Sequence, residues 1–321
     1  MPAVETQQPL SLLLAALRIS GPIFGWVILG AILSRVGILR FHFINVVSRF
    51  SFNVALPIVL LVGASGVDYA ALGSASYLYA AIISSLLVFA LSWLYGRWRG
   101  FPRSQVGIFV QGAFRSNLAV IGVALCVAAY GERGLVLAAP PIAVLTLLFN
   151  ILAIWVLDST LGNKNSVLSM TMGILRNPLI VGILIGAFCS VSGVVLPVFS
   201  GTLSGAITTY FIPVLLTCVG GSVRLDGLAS ISVLVWETSA WRLLVSPAIA
   251  VCVALLMGVR GETLGVYFLL LSSPVAAASF VMVVAGRGDG GLAANIIVLS
   301  SLLCLLSITA GFFLLSVLRL V

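Results

Sequence analysis

Arg115 and Asn117 are the residues of this chain best suited to bind an anion. Both lie near the middle of a long apolar run, in the segment from Gln111 to Gly122. A charge at the centre of a bilayer costs at least about 2.5–3.5 kcal/mol, so it should face a partner or a wet cavity. No acid lies nearby in the sequence, which favours an anionic ligand. The alternative is that the helix starts later and Arg115 reaches the headgroups.

Other amide and hydroxyl side chains fit the same hypothesis. The carboxamide of Asn117 is able to satisfy a broken helix or to bond a ligand carboxylate, with helix–helix contact as the alternative. Asn53 also falls near mid-membrane, and Thr209 follows it after 156 residues. We expect Asn53 to help shape the site, with helix–helix contact as the alternative, whereas helix packing explains Thr209 better.

Pro274 marks a second candidate interruption, in a later apolar run. Proline removes one backbone hydrogen bond of a helix, and its ring clashes with the preceding turn. The flanking serines can cap the freed groups, and we include Ser273 and Ser279 among the candidate substrate contacts. Two helices interrupted at matching depths would bring half-helix ends together, where the positive N-terminal ends attract an anion. An ordinary proline kink without a ligand is the alternative.

Other kinds of chemistry find little support in the sequence. The acidic residues fall in or near predicted loops, so no proton relay is evident, and the coupling ion is left open between sodium and proton. The five cysteines lack metal or redox spacing. No paired-acid motif, phosphate-binding loop or nucleophile elbow is present. We therefore predict neither an enzyme nor a cofactor.

The elements that must position these residues are membrane-spanning helices. The chain is 61% hydrophobic and only 7% charged, and its mean hydropathy is +1.26. Apolar stretches long enough to span a bilayer follow one another almost without pause. We predict an all-α membrane protein with ten spans in a single polytopic domain, residues 1–321. The spans are roughly 12–34, 43–64, 75–96, 104–128, 136–158, 178–196, 200–222, 237–258, 264–285 and 292–318.

The basic residues predict the orientation. Eleven lie in or beside the loops after spans 1, 3, 5, 7 and 9, against four on the other side. The eleven are Arg35, Arg40, Arg49, Arg97, Arg99, Arg103, Lys164, Arg176, Arg224, Arg242 and Arg287. The positive-inside rule puts them in the cytoplasm and both termini outside. We predict a plasma membrane location, and the net charge of +8 is then a topology signal, with no sign of a nucleic-acid partner.

The chain also repeats itself about halfway along. Pro22 and Pro178 open similar apolar runs 156 residues apart, and Pro57 and Pro213 open others at the same offset. The two halves, residues 12–158 and 178–318, have five predicted spans each. Because five is odd, the second half enters the membrane upside down, which makes an inverted repeat. Weak internal symmetry with Pro and Gly interruptions is typical of secondary transporters.

Several phrases, in this order and spacing, resemble the auxin efflux carrier family of plants and its bacterial relatives. They are Asn53-Val54-Ala55-Leu56-Pro57, Phe114-Arg115-Ser116-Asn117-Leu118, Asn177-Pro178-Leu179-Ile180 and Ser273-Pro274-Val275-Ala276, followed by Gly288-Asp289-Gly290. The resemblance implies ten helices in a 5+5 inverted repeat, similar to the bile-acid symporter and sodium–proton antiporter folds, with interrupted helices 4 and 9 crossing. Relatives commonly have proline where this chain has Ala124, so we expect a less broken helix 4. The short link between spans 5 and 6 looks bacterial.

The resemblance implies a small organic anion as substrate, moved by alternating access. Arg115 independently favours a carboxylate, and mono- and dicarboxylates are both permitted. A homodimer would be unsurprising in this family. Two alternatives stay open: a sodium-coupled symporter of amphipathic anions, and a receptor that senses a ligand without transporting it. The sequence leaves the substrate, the direction of flux and the driving ion undetermined.

Overall fold

The computed structural model describes residues 9–65, 76–161, 178–194, 207–222 and 232–321. Within these ranges the regular structure is helical, apart from one isolated bridge between two extended segments. The basic residues Lys164, Arg176 and Arg224, and parts of predicted spans 6 and 7, lie outside the described residues.

The first part of the chain forms long apolar helices. They are α1 (Pro9–Arg35), α2 (Phe41–Phe50), a π-helical turn (Ser51–Ala55), α3 (Leu56–Ser65), α4 (Ser76–Trp98), α5 (Arg103–Phe114), a second π-helical turn (Leu118–Gly122) and α6 (Val123–Leu161). A bilayer interior offers no water to bond backbone groups, so helices that pair those groups internally are the expected solution.

The second part is built in the same way. Its elements are α7 (Pro178–Val191), a π-helical turn (Ile207–Phe211), α8 (Ile212–Ser222), α9 (Val233–Ala240), a π-helical turn (Trp241–Val245), α10 (Ser246–Leu256), α11 (Gly261–Ser272), α12 (Ala278–Ala285) and α13 (Gly290–Val317).

Four helical stretches of the described residues are long and apolar enough to cross a membrane by length and composition. They are Ser76–Trp98, Leu118–Leu161, Val233–Leu256 and Gly290–Val317. The 44-residue stretch is interrupted at Gly131, whose φ of 59° and ψ of −141° are not helical. The chain turns at Gly131 and brings Gly134 back against the preceding helix, where a Cβ atom on Gly134 would overlap the carbonyl oxygen of Cys126. One stretch of sequence thereby supplies two helices.

Glycines allow two pairs of helices to approach closely. Helix α1 packs against α8, and α3 packs against α7. A Cβ atom on Gly30 would overlap the carbonyl oxygen of Thr217, and one on Gly186 would overlap that of Leu61. Small residues that let helix backbones touch are the usual packing device in membranes.

The outside of the bundle is apolar as well as its core. Phe109, Phe114 and Tyr267 are among the largest fully buried side chains, while Leu306 and Trp155 are 68% and 54% exposed. Such a surface is unfavourable in water and suits contact with lipid. The fold is that of an all-α membrane protein.

Candidate functional site

The first break separates α5 from the helix that follows it. Arg115 (φ −82°, ψ 94°) and Asn117 (φ −84°, ψ 69°) are non-helical, and the chain resumes as a π-helical turn at Leu118. Ala124 lies beyond this turn, in the first turn of α6. Helix 4 is therefore interrupted although Ala124 stands where relatives commonly have proline, because the break occurs several residues earlier.

The second break lies between α11 and α12, at Ser273–Ala277. Pro274 has no N–H, so the carbonyl of Leu270 has no backbone donor four residues later. The hydroxyl of Ser273 donates to that carbonyl at 2.8 Å. The capping expected of the flanking serines thus comes from Ser273. Ser279, in the first turn of α12, is 3% exposed.

The two breaks meet and satisfy each other's backbone groups. An antiparallel bridge joins Ser116 to Val275. The Asn117 N–H donates to the Pro274 carbonyl at 2.8 Å, and the Ala276 N–H donates to the Arg115 carbonyl at 3.2 Å. We call the residues 115–117 and 273–277 the crossing. The structure brings four sequence-predicted site residues together there, namely Arg115, Asn117, Ser273 and Pro274.

The guanidinium of Arg115 faces the protein interior. Its Nη1 donates to the Phe149 carbonyl at 3.0 Å, and its Nη2 donates to the Asn150 side-chain oxygen at 2.8 Å. The residue is 7% exposed, and its Nε has no partner among the described residues. This geometry disfavours the alternative in which Arg115 reaches the headgroups.

A second buried arginine, Arg242, reaches the same place. It is fully buried, in the π-helical turn Trp241–Val245. Its Nη1 donates to the carbonyls of Phe114 (2.8 Å) and Ala113 (3.3 Å), and its Nη2 donates to the carbonyl of Leu271. These oxygens belong to the last turns of α5 and α11, whose C-terminal ends carry partial negative charge. Arg242 therefore clamps both half-helices at the crossing.

The position of Arg242 corrects the sequence analysis, which counted it among the cytoplasmic loop residues. Predicted span 8 began at residue 237, whereas the helical stretch begins at Val233. An earlier start moves Arg242 from the helix end to the third turn. The signal available in the sequence was the apolar run Ile231-Ser232-Val233-Leu234-Val235 that precedes Glu237. Without Arg242, ten basic residues remain on the predicted cytoplasmic side against four.

The positive charges of the crossing have no carboxylate partner in the described part of the chain. Two ion pairs lie away from the crossing, Arg99–Glu237 and Arg133–Glu262, and their side chains are partly or largely exposed. The hydrogen bond that Arg99 donates to the Glu237 carboxylate raises the pKa of Arg99. The crossing instead pairs two guanidinium groups with neutral oxygens and helix C-terminal ends, which leaves it able to attract an anion.

Unused hydrogen-bonding groups surround the crossing. Among the described residues, the buried hydroxyls of Ser116, Ser272 and Ser279 have no partner, and neither does the Nε of either arginine. The side chain of Asn117 is partly exposed. Buried polar groups are normally hydrogen-bonded, so a cluster without partners is a reasonable place for a polar ligand. No group of three or more His, Cys, Asp or Glu residues that could hold a metal ion occurs in the described ranges.

Asn53 lies apart from this cluster. It is exposed, in the turn Ser51–Ala55, which packs mainly against α2, α3 and α7. Thr209 is also exposed, in the turn Ile207–Phe211. The structure does not bring either residue to the crossing, and the role expected of Asn53 stays a prediction.

These features define a multi-pass, all-α membrane protein with a cationic crossing of two broken helices. No known protein-family profile matches the chain. The chain is similar to a protein of Methanothermobacter thermautotrophicus described as an uncharacterized transporter. The two are 23% identical over 286 residues, which cover 88% of this chain and 92% of the relative. The similarity therefore extends over nearly the whole of both proteins.

Proposed function

We propose that this protein is a secondary transporter that moves small organic carboxylate anions across the plasma membrane by alternating access. The observation that carries the proposal is the crossing, where the partners of two buried guanidinium groups among the described residues are neutral oxygens. A buried charge inside a membrane is costly and usually marks a substrate or ion pathway. The transporter relative, similar along nearly its whole length, supports the same class of function.

We further propose that the chain is a ten-helix inverted repeat. Gly30 lies against Thr217, and Gly186 lies against Leu61. At the offset of 156 residues, Gly30 corresponds to Gly186 and Leu61 corresponds to Thr217. Each contact therefore joins the counterparts of the two residues in the other contact. A contact that is swapped in this way is the mark of a two-fold axis.

The π-helical turns support the same axis. The turns Ser51–Ala55 and Ile207–Phe211 also lie 156 residues apart. Transporters with inverted repeats bind substrate where discontinuous helices meet near mid-membrane. This architecture agrees with the resemblance to auxin efflux carriers, and it would place the crossing at the centre of the molecule.

In this proposal Arg115 and Asn117 bind the substrate carboxylate, and Pro274, Ser273 and Ser279 shape the site. The Arg115 Nε and the Ser279 hydroxyl have no partner among the described residues, so they are free to donate to a carboxylate. Even when Arg242 is left out of the count, the basic residues favour cytoplasmic loops after the odd-numbered spans and both termini outside. A homodimer is part of the same proposal.

Counterflow in proteoliposomes tests the function. Vesicles loaded with unlabelled malate, malonate or indole-acetate would be given the same radiolabelled anion outside, with and without sodium. The proposal expects saturable uptake of at least one anion above protein-free vesicles. Uptake that requires sodium would favour the sodium-coupled symporter. Saturable binding without uptake would favour the receptor, and neither binding nor uptake by folded protein would contradict an anion carrier.

A further inference from the structure

A groove separate from the crossing opens where three helices end or begin on the arginine-rich side. It lies between the end of α4, the start of α5 and the end of α6, and it encloses about 510 Å³. That volume is within the range of small-molecule sites. Its lining includes Trp93, Arg97, Phe101, Arg103, Val106 and Trp155.

Two arginines give this groove its charge. The Nη2 and Nε of Arg103 donate to the Ser159 carbonyl at 2.7 and 3.2 Å, which ties the start of α5 to the end of α6. Arg97 is exposed, in the last turn of α4. Nearby Arg99 bonds Glu237 instead and does not line the groove. Arg97 and Arg103 therefore present positive charge to an occupant.

Aromatic side chains give the groove an apolar wall that faces outward. The rings of Trp93 and Trp155 lie 5.3 Å apart, and Trp155 is 54% exposed. Beside them, Leu94 and Trp98 on α4 are 62% and 79% exposed. Tryptophan and arginine at the ends of apolar helices are typical of the membrane–water interface. This composition suits contact with lipid at the level of the headgroups.

We propose that this groove binds an anionic phospholipid, whose phosphate contacts Arg97 and Arg103 and whose acyl chain packs along Trp155. The charge of the groove matches a phosphate, and its apolar wall continues onto the lipid-facing surface of α4 and α6. Basic pockets between membrane helices are known to hold anionic headgroups. A zwitterionic lipid would offer the same acyl chain without the net charge, so the preference should follow the headgroup.

Native mass spectrometry of the purified protein measures this preference. We expect phosphatidylglycerol to bind about tenfold or more tightly than phosphatidylcholine of the same chain length, because basic residues near an anionic headgroup each strengthen binding severalfold. The double variant Arg97→Gln/Arg103→Gln should lose the preference. The matched control Arg35→Gln/Arg40→Gln removes two exposed arginines outside the groove and should keep it. Equal binding of both lipids, or equal loss in both double variants, would overturn the proposal.

Tryptophan quenching locates the acyl chain. Phosphatidylglycerol brominated on its acyl chain should quench part of the emission of the wild type, and Trp155→Phe should reduce that quenching. Unchanged quenching in Trp155→Phe would place the lipid elsewhere. Millimolar glycerol phosphate should not displace the lipid; displacement would mean that the groove holds a soluble phosphate ester and would overturn the lipid assignment.

Discussion

Arg115–Asn117 and Ser273–Ala277 interrupt two helices at one crossing, but only the second contains a proline. At the second break, Pro274 removes a backbone donor and the Ser273 hydroxyl replaces it. At the first break no such residue is present, and the extended backbone is held by hydrogen bonds to the second. A proline is therefore not required to break a helix here, because the paired strand-like segments stabilise each other.

The two breaks also differ in charge. The first contributes Arg115, whereas the second is neutral and is flanked by the hydroxyls of Ser272 and Ser279. Arg242 serves both, since it donates to carbonyls at the ends of α5 and α11. The residue that corresponds to Arg242 in the first half, 156 positions earlier, is Leu86. The proposed repeat therefore has no second copy of this clamp. The two breaks thus share a backbone geometry but carry different side chains.

Removal of Arg242 should have the largest effect on both breaks. Arg242→Met leaves the buried carbonyls of Phe114 and Leu271 without this donor, and we expect about 1–3 kcal/mol of lost stability for each of them. Thermal unfolding of the purified protein in detergent measures it. Arg260→Met is the matched control, because Arg260 also donates to two backbone carbonyls but is exposed. Equal losses in both variants would mean that Arg242 is not a clamp.

Substitution of two corresponding glycines, one in each half, tests whether the two halves are equivalent. Gly30→Ala and Gly186→Ala each place a methyl group on a backbone carbonyl of the facing helix, and overpacking of this kind costs about 1–3 kcal/mol. Both unfolding midpoints should fall by similar amounts. Gly25→Ala is the control, since nothing lies within 4 Å of its added Cβ. A loss confined to one of the first two variants would weaken the proposed repeat.

The hydroxyl that compensates for Pro274 should have a smaller effect. Ser273→Ala leaves the Leu270 carbonyl without its donor, and we expect about 1 kcal/mol of lost stability. The neighbouring Ser272 is buried but its hydroxyl has no partner in the described part of the chain, so Ser272→Ala should cost less. Chemical or thermal denaturation that ranks the two variants in the opposite order would contradict the capping role of Ser273.

Pro274 itself should be the most tolerant position. Pro274→Ala returns an N–H to the chain, but the backbone pairing with Asn117 and Arg115 remains. We expect a change within about 1 kcal/mol, mainly from the freer unfolded chain, together with retained carboxylate binding. Loss of binding in a folded Pro274→Ala protein would show that the proline is needed to keep the second break open.

The sequence predicted the parts of this site that carry a local signal. Pro274 marks a break because of its missing donor, and Arg115 stands out because charge is rare in an apolar run. Together they located the crossing. The break at Arg115–Asn117 depends on long-range pairing with residues 274–276, about 160 residues away, and no local pattern reports it.

Arg242 was missed for a related reason. Its role depends on where the helix from Val233 begins, and the boundaries of apolar runs are uncertain by several residues in sequence. For Asn53 the role stays a prediction: a polar residue at mid-membrane depth drew attention, but depth alone does not tell which face of a helix it occupies. The structure places it on an exposed face, away from the crossing.

Thermal shifts of the purified protein with mono- and dicarboxylates test the proposal that Arg115 binds an anion at the crossing. The variants are Arg115→Gln and, as the control, Arg133→Gln, which removes an exposed guanidinium. A ligand at a hundred times its Kd stabilises the native state by about 2.7 kcal/mol. The account predicts that at least one carboxylate stabilises the wild type and Arg133→Gln but not folded Arg115→Gln. A full shift in folded Arg115→Gln would contradict it.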